Sequence, residues 1–468
     1  MYNLECYCNR FSPAHRSIVL SSNSQPASFL AFPAGFLWGI STSGYQVEGG
    51  DQDSQWVAWE RDGKIRSGDR SGLACDWWGN AEADFDIAKK IGLNALRLSV
   101  EWSRLEPRPG EWSLAALHRY REILQALLDR GMQPIVCLHH FTHPAWFEAG
   151  GGFLNQHAPA QFEQFVKRAV EGLSDLCRHW VTFNEPNVYT AFGYVLGEFP
   201  PGHRGRALAA LQATQMMARA HARAYRRIHE LQADAEVGWA QHYAVLEAAR
   251  AHSRMDRLWA NTLDRVFNQI FFRAIEDGNL GFPLNLFDGN LREAKDTCDF
   301  VGLNVYSRFN VAFRPLLPAQ LFADVFVPEG VPQGDPCADK AYGEAYPGAI
   351  RSAVQRAASL GKPIYILENG VPDATDRIRP WVIVNATKQL HALISEGYDI
   401  RGYFHWTLTD NFEWSEGWHL RFGLVELDPA TQHRKLRESA HLYGAIVNAN
   451  GLTEELIRQF CPAETLRS

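Results

Sequence analysis

The chain has 468 residues, of which 46% are hydrophobic and 21% charged, a composition typical of a soluble globular protein with a large core. Its net charge of −7, without a run of Lys and Arg, argues against a nucleic-acid-binding surface. No apolar run reaches the length of a membrane span. The eight cysteines form neither a CxxC motif nor a Cys/His metal pattern, so we expect reduced thiols in a cytoplasmic protein.

The first 30 residues differ in composition from the rest of the chain. They are rich in Ser and contain Arg10 and Arg16 but only one acidic residue, Glu5. They lack the apolar segment of a secretory signal. We expect a disordered tail or a misassigned start at residues 1–30, followed by a catalytic domain over residues 31–468. An organelle transit peptide is the alternative that the composition leaves open.

Beyond the tail, short apolar runs typical of buried strands alternate with segments that have the periodicity of helices. The eight predicted strands are Phe36–Ile40, Ala95–Val100, Gln133–Leu138, Trp180–Phe183, Val237–Gln241, Phe300–Leu303, Ile364–Leu367 and Ile400–His405. The predicted helices are Ala81–Ile91, Leu114–Arg130, Ala160–Leu173, Ala207–Leu231, Asp256–Glu276, Ala349–Leu360, Pro380–Glu396 and Leu436–Asn448.

This alternation predicts an α/β protein, because strands linked by helices pair in parallel through right-handed crossovers. Eight strand–helix units predict a single (β/α)8 TIM barrel with long loops. The longest irregular stretch, Ser307–Pro347, is rich in Pro and Gly and follows the sixth strand. We expect it to border the functional face of the barrel.

Two of the predicted strands end in an acidic residue followed by a residue that stops the strand. Glu185 precedes Pro186, and Glu368 precedes Asn369-Gly370. A carboxylate at the end of a buried strand is costly to ionise unless a partner or a chemical task accounts for it. The pair therefore indicates a functional site.

Polar and aromatic side chains follow the other strands, and in a (β/α)8 barrel the carboxyl ends of all strands meet at one face. Those residues are Gln46, Arg97, His139, His140, Asn184, His242, Tyr243, Asn304, Tyr306, Trp406, Asp410, Glu413 and Trp414. The set contains no metal triad and no Ser or Cys nucleophile beside a base. Paired carboxyls with amides and aromatic platforms are typical of glycoside hydrolysis.

Four stretches give the chain its family resemblance. They are Phe32-Pro-Ala-Gly-Phe-Leu-Trp-Gly-Ile-Ser-Thr-Ser-Gly-Tyr-Gln-Val-Glu-Gly49, Thr182-Phe-Asn-Glu-Pro186, Ile366-Leu-Glu-Asn-Gly370 and Trp406-Thr-Leu-Thr-Asp-Asn-Phe-Glu-Trp414. In this order, and over about Phe32–Ala445, the chain resembles glycoside hydrolase family 1. The resemblance implies a retaining exo-β-glycosidase of the β-glucosidase type, which acts through a covalent glycosyl-enzyme intermediate.

The resemblance also implies roles for the catalytic residues. Glu185 corresponds to the general acid/base and Glu368 to the nucleophile. Arg97 is expected to lie beside Glu368 and keep it ionised, while Tyr306 is expected to donate a hydrogen bond to the same carboxylate. Asn184 is expected to contact the sugar 2-OH, and Glu185 to keep its proton to higher pH than Glu368.

The substrate-binding residues implied by the resemblance are Gln46, His140, Asn304, Trp406, Glu413 and Trp414. Glu413 indicates an unphosphorylated sugar, because relatives that accept 6-phosphorylated sugars lack this residue and a phosphate would meet a like charge there. The segment His140-Phe-Thr-His-Pro144 departs from the family pattern, with Phe141 in place of an indole and an additional His143. We expect His139 to have a packing role, favour packing over a place on the aglycone side for His242 and Tyr243, and assign Glu101 no catalytic role.

Two alternative functions use the same fold. A transglycosylase would employ the same residues but transfer the sugar to an acceptor other than water. An inactive glycan-binding barrel is disfavoured because both acidic residues are present. We expect a small glycoside or oligosaccharide as the substrate, and neither a cofactor nor a metal, nucleic-acid or membrane partner. The sequence leaves open the choice among glucose, galactose and fucose, the aglycone and the oligomeric state.

Overall fold

The computed structural model describes residues 29–281, 284, 290–317, 321–337 and 341–462. Its centre is a closed barrel of eight parallel strands, in which neighbouring strands pair in chain order and the eighth pairs with the first to close the ring. The barrel strands, numbered here from first to eighth, are Leu37–Ser41, Ala95–Ser99, Gln133–Cys137, His179–Asn184, Glu236–Ala248, Phe300–Phe313, Ile364–Asn369 and Ile400–His405. The predicted (β/α)8 fold is confirmed.

A helix follows each strand and covers the outside of the barrel. These helices are Trp77–Ile91, Leu114–Asp129, Ala158–Leu173, Ala207–Leu231, Arg254–Asp264 with Ile270–Asp277, Gly348–Ala357, Arg379–Ser395 and Glu438–Ala449. The predicted helix Asp256–Glu276 is in fact two α-helices joined by a π-helical segment at Arg265–Gln269. The remaining predicted helices are confirmed, although Trp77–Ile91 begins four residues earlier than expected.

The barrel interior is filled by side chains from alternating strand positions. They are Ala95, Ile135, Cys137, Val181, Ala240, Phe300, Tyr365, Leu367 and Phe404. Two glycines make room for Phe404 and Leu367. A Cβ on Gly39 would lie 2.4 Å from the Phe404 ring, and one on Gly302 would lie 2.4 Å from Leu367 Cδ1. The interior is therefore a packed core that supports the residues above it.

The prediction that Ser307–Pro347 is irregular is wrong over part of its length. The sixth strand continues to Phe313 and forms an antiparallel pair with Ala323–Phe326, and Glu344–Ala345 also pairs with it. The extension is stable because the fifth strand, which runs to Ala248, lies alongside and supplies ladder partners as far as Val311. Residues 318–320 and 338–340 of this stretch lie outside the described residues.

Both ends of the described chain meet beneath the barrel. Phe29–Ala31 pairs antiparallel with Gly451–Thr453, and a helix at Glu454–Phe460, which the sequence analysis did not predict, follows. The tail predicted at residues 1–30 lies outside the described residues up to position 28. Among the helices described, none is both long and apolar enough to cross a membrane.

Candidate active site

The strand register brings the predicted site residues to one end of the barrel. On the sixth strand, Asn304 lies opposite Glu368 of the seventh strand and also opposite His242 of the fifth. On the other side, the backbone N–H of Glu185 donates to the carbonyl of Ala240 on the fifth strand, at 2.7 Å. Parallel pairing thus places both carboxyls around Asn304.

A register shift turns the end of the fourth strand toward the barrel mouth. Val181 faces the barrel interior, so strict alternation would also send Phe183 inward and Asn184 outward. Instead Phe183 packs outward on Phe162, with ring centroids 4.6 Å apart, and the pairing with the fifth strand shifts between Val181 and Asn184. Asn184 therefore faces the mouth, because one irregular residue reverses the alternation.

The seventh strand has a similar shift directly before its acid. Leu367 belongs to the barrel interior, and the pairing with the sixth strand shifts between Ile366 and Glu368. The side chains of Leu367 and Glu368 consequently both point to the inside of the barrel, although the two residues are neighbours in sequence. A regular strand would point Glu368 toward the surrounding helices.

Glu368 is a buried carboxyl with a different donor on each oxygen. Arg97 Nη1 donates to Oε1, and Tyr306 Oη donates to Oε2 at 2.7 Å. Burial and the Glu185 charge raise the pKa of Glu368, the Arg97 charge and both hydrogen bonds lower it, and the net result is a pKa of about 7. Burial and the Glu368 charge also raise the pKa of Tyr306 well above its usual range, so Tyr306 stays a neutral donor.

The Glu185 carboxyl contacts an amide and an imidazole rather than an arginine. Asn304 Nδ2 donates to Glu185 Oε1 at 2.7 Å, and His242 Nδ1 lies 3.1 Å from the same oxygen. Glu185 itself has a left-handed backbone, with φ of +46°, and Pro186 begins a short helix directly after it. Such a conformation is strained in a non-glycine residue and is typical of functional sites.

Two routes connect the carboxyls. On one side, Arg97 Nη2 donates to Asn184 Oδ1, and Asn304 Nδ2 donates to the same oxygen at 2.9 Å. On the other side, the His242 ring beside Glu185 stacks on the Tyr306 ring, with centroids 5.9 Å apart and planes 15° apart. The two acids therefore share one packed unit while keeping different immediate partners.

Aromatic rings form the wall next to this unit. The His140 imidazole stacks between the indoles of Trp406 and Trp414, with centroid distances of 5.8 Å to each. Asn184 Nδ2 lies 2.9 Å from His140 Nε2. Burial and the Arg97 charge hold the pKa of His140 well below its usual range, so the ring is neutral. Neutral rings of this kind suit a polar but uncharged ligand.

A third carboxyl group, that of Glu413, lies next to this aromatic wall. Gln46 Nε2 donates to Glu413 Oε2 at 3.0 Å, to Asn411 Oδ1 at 3.1 Å and to the Phe412 carbonyl at 3.0 Å. Ser43 Oγ donates to Gln46 Oε1 and fixes the amide orientation. Burial raises the pKa of Glu413 to about 8, against the lowering effect of the Gln46 hydrogen bond. At neutral pH this carboxyl can therefore donate as well as accept.

The structure brings the predicted site residues together, and it changes the interpretation of one residue. The sequence analysis favoured packing for His242 over a place on the aglycone side, but its ring contacts Glu185. Its position directly after a barrel strand was the available signal. His139 and His143 are buried, and His139 Nε2 lies 3.3 Å from His143 Nδ1. The other ring nitrogen of His143 contacts Glu148, so neither histidine contacts the two acids. Asp410 pairs with Arg437 and is structural.

Glu101 lies beneath the loop that carries His140. Ser99 Oγ and Thr142 Oγ1 donate to its carboxyl group. Burial and the nearby Glu48 carboxylate raise its pKa to about 8. Within the described ranges, no group of three or more His, Cys, Asp or Glu side chains could hold a metal ion.

Comparisons with known proteins give relatives over nearly the whole chain. The family model described as "Glycosyl hydrolase family 1" matches residues 29–452. Beta-glucosidase A of Thermotoga maritima is 32% identical over 453 residues, which cover 90% of this chain and 99% of that protein. Beta-galactosidase of Sulfolobus acidocaldarius is 31% identical over 501 residues, which cover 94% and 100%. The solved beta-glycosidase from Pyrococcus horikoshii is 34% identical, with a TM-score of 0.84 and coverage of 92% and 98%.

Proposed function

Because the chain belongs to glycosyl hydrolase family 1 and is a retaining β-glycosidase, we propose that Glu368 is its nucleophile and Glu185 its general acid/base. The observation that carries this assignment is the difference between their surroundings. Glu368 accepts hydrogen bonds from a fixed cation, Arg97, and from Tyr306. Glu185 contacts only an amide and an imidazole, partners that suit a group that must both give and take a proton.

In the first step, a carboxylate oxygen of Glu368 attacks the anomeric carbon as the bond to the leaving oxygen breaks. Glu185 gives its proton to that oxygen, and the sugar becomes an ester of Glu368. Asn184, whose Oδ1 is held by Arg97 and Asn304, is placed to donate its amide to the sugar 2-OH. This contact strengthens as positive charge develops at the anomeric carbon.

In the second step, water attacks the anomeric carbon while Glu185, now a carboxylate, takes the water proton. The ester bond to Glu368 breaks, and Glu368 returns to the carboxylate that Arg97 and Tyr306 stabilise. The anomeric configuration is retained because both displacements invert it.

We assign glycone recognition to Gln46, His140, Asn304, Trp406, Glu413 and Trp414. A β-D-glucosyl residue with its 4-OH beside Gln46 and Glu413 would meet one amide and one carboxyl, which hydrogen-bond each other at 3.0 Å. Trp406 offers a buried indole as the platform. Galactose and fucose present the same atoms except at the 4- and 6-positions and stay as alternatives. Relatives named beta-glucosidase and beta-galactosidase are both similar to this chain.

The surroundings of Glu413 support an unphosphorylated sugar. Glu416 lies near it and adds negative charge, and Arg66 is already paired with Glu198 and Glu416. Leu420 and Phe422 form an apolar cluster with Trp406 and Tyr306. A 6-phosphate would therefore meet carboxyls and apolar surface, which disfavours it.

Hydrolysis is the reaction that we propose for this site, since no described feature favours an acceptor other than water. The substrate is a carbohydrate, as the family implies. We also propose a reducing compartment such as the cytoplasm, because Cys75, Cys137, Cys177 and Cys298 are buried thiols without a disulfide.

The test is hydrolysis of aryl β-glucoside, galactoside, fucoside, mannoside and 6-phosphoglucoside by the wild type and by Glu368→Gln. We expect release from the glucoside and loss of at least about 1000-fold in the variant, because the first step then lacks its nucleophile. Glu111→Gln, an exposed carboxyl on the surface, serves as the matched control and should retain activity. Activity confined to the 6-phosphoglucoside would contradict the role of Glu413, and an active Glu368→Gln would contradict the nucleophile assignment.

A further inference from the structure

His242 has a fixed ring orientation beside the proposed acid/base. Its Nδ1 lies 3.1 Å from Glu185 Oε1, and its side chain is 16% exposed. One ring face stacks on Tyr306, and Phe267 contacts it edge-on with centroids 5.8 Å apart. Its backbone carbonyl accepts from Asn187 Nδ2 at 2.9 Å. Packing on several sides therefore holds the ring in place.

The chemistry of Glu185 Oε1 decides what His242 does there. This oxygen already accepts a hydrogen bond from the Asn304 amide, which can only donate through its nitrogen. A carboxyl oxygen that accepts from one donor offers a second lone pair, so the contact with Nδ1 is favourable when that nitrogen carries the hydrogen. Two donors from the fifth and sixth strands then converge on Oε1 and leave Oε2 to carry the catalytic proton.

We propose that His242 is a positioning residue for proton transfer, which fixes the Glu185 carboxyl so that Oε2 faces the leaving oxygen in the first step and the attacking water in the second. The imidazole keeps its own hydrogen throughout, so the proton balance of both steps is unchanged. The proposal rests on the assignment of Glu185 as the acid/base. It goes beyond that assignment because it concerns the orientation of the carboxyl.

If His242 positions Glu185, a His242 variant should lose rate only in those steps that need proton transfer by Glu185. In an aryl glycoside with a very acidic leaving group, such as 2,4-dinitrophenyl β-glucoside, the phenolate departs without protonation. The first step of this substrate therefore does not need an oriented Glu185. The second step needs a base for every substrate. Phenyl β-glucoside needs protonation in the first step as well.

The test variant is His242→Phe, which keeps an aromatic ring on Tyr306 and removes the Nδ1 donor. For 2,4-dinitrophenyl β-glucoside we expect kcat to fall about tenfold while kcat/KM stays within about twofold, so KM falls with kcat. For phenyl β-glucoside we expect kcat/KM to fall about tenfold. A merely structural defect would lower kcat/KM for both substrates together, and that result would overturn the proposal, as would unchanged kinetics.

Two further variants complete the experiment. His242→Asn places an amide nitrogen near the position of Nδ1 and should recover most of the lost rate. Tyr243→Phe, the next residue on the same strand, is the control for local disturbance and should behave as the wild type. If His242→Phe fails to fold, His242→Ala is measured with the same two substrates and the same criteria.

Failure of the proposal is separable from failure of the acid/base assignment. In Glu185→Ala, added azide should restore turnover of 2,4-dinitrophenyl β-glucoside and yield the β-glycosyl azide. Absence of that product would remove the basis of the assignment and of the His242 proposal together. Azide rescue combined with wild-type kinetics in His242→Phe would overturn the His242 proposal alone.

Discussion

Replacing Tyr306 by Phe should move the acid limb of the pH–activity profile to higher pH. Protonated Glu368 cannot attack the anomeric carbon, so kcat/KM falls as the pH falls through the Glu368 pKa, which burial raises to about 7. The Tyr306 hydroxyl donates to Glu368 Oε2 at 2.7 Å and lowers that pKa. Removing this donor destabilises the carboxylate form and raises the pKa.

The size of the shift follows from the hydrogen bond. A hydrogen bond to a charged group contributes about 1.5 kcal/mol, and about 1.4 kcal/mol corresponds to one pKa unit. The acid limb of Tyr306→Phe should therefore lie about one pH unit above that of the wild type. The assay is kcat/KM for an aryl β-glucoside measured from pH 4 to pH 9, because this parameter reports the free enzyme.

The control is Tyr342→Phe, a neighbouring tyrosine that packs edge-on against Tyr306 with centroids 6.2 Å apart. We expect its acid limb to coincide with that of the wild type. An acid limb of Tyr306→Phe that stays in place or moves to lower pH would refute the reasoning that links this hydroxyl to the ionisation of Glu368.

Three further predictions concern buried ionisable side chains. Arg97→Met should lower the free energy of unfolding by about 3 kcal/mol or more at pH 8, where Glu368 must either stay an unpaired buried carboxylate or take up a proton. The loss should be smaller at pH 5, and equal losses in urea titrations at both pH values would contradict this. Glu413→Gln should lower kcat/KM for an aryl β-glucoside by about tenfold or more, and an unchanged value would exclude the proposed sugar contact. Glu101, whose pKa rises from 4.5 to about 8 on folding, favours the neutral form, so wild-type stability should fall as the pH rises between those values. Thermal unfolding of Glu101→Gln should show a flatter dependence over this range, and a parallel curve would contradict the assigned pKa.

Much of the fold was predictable because the strands of a parallel barrel are buried on both faces and appear as short apolar runs. The eight strands and their helices were found in this way. The hairpin of Phe313 and Ala323 was missed because its Pro- and Gly-rich surroundings hide strands whose partners lie on a neighbouring extension. The split of Arg254–Asp264 from Ile270–Asp277 was missed because the π-helical segment between them, Arg265–Gln269, contains no Gly or Pro that would mark a break.

The candidate site was predictable where a residue type is unusual for its place in the sequence. A carboxyl at the end of an apolar strand, as at Glu185 and Glu368, is informative because burial makes it costly. The contact of His242 with Glu185 was missed, since a histidine after a strand is equally compatible with packing. Only the pairing of the fifth strand with the fourth and sixth shows which group its ring meets.

By itself, the sequence determined the barrel, the two acids and the family resemblance, because burial, periodicity and short motifs are properties of neighbouring residues along the chain. The tertiary structure decided which way the acids face. A strict alternation would direct Asn184 and Glu368 away from the barrel, and register shifts before each of them turn both toward the mouth. Such shifts depend on the pairing of strands that are distant in sequence, so no local pattern encodes them.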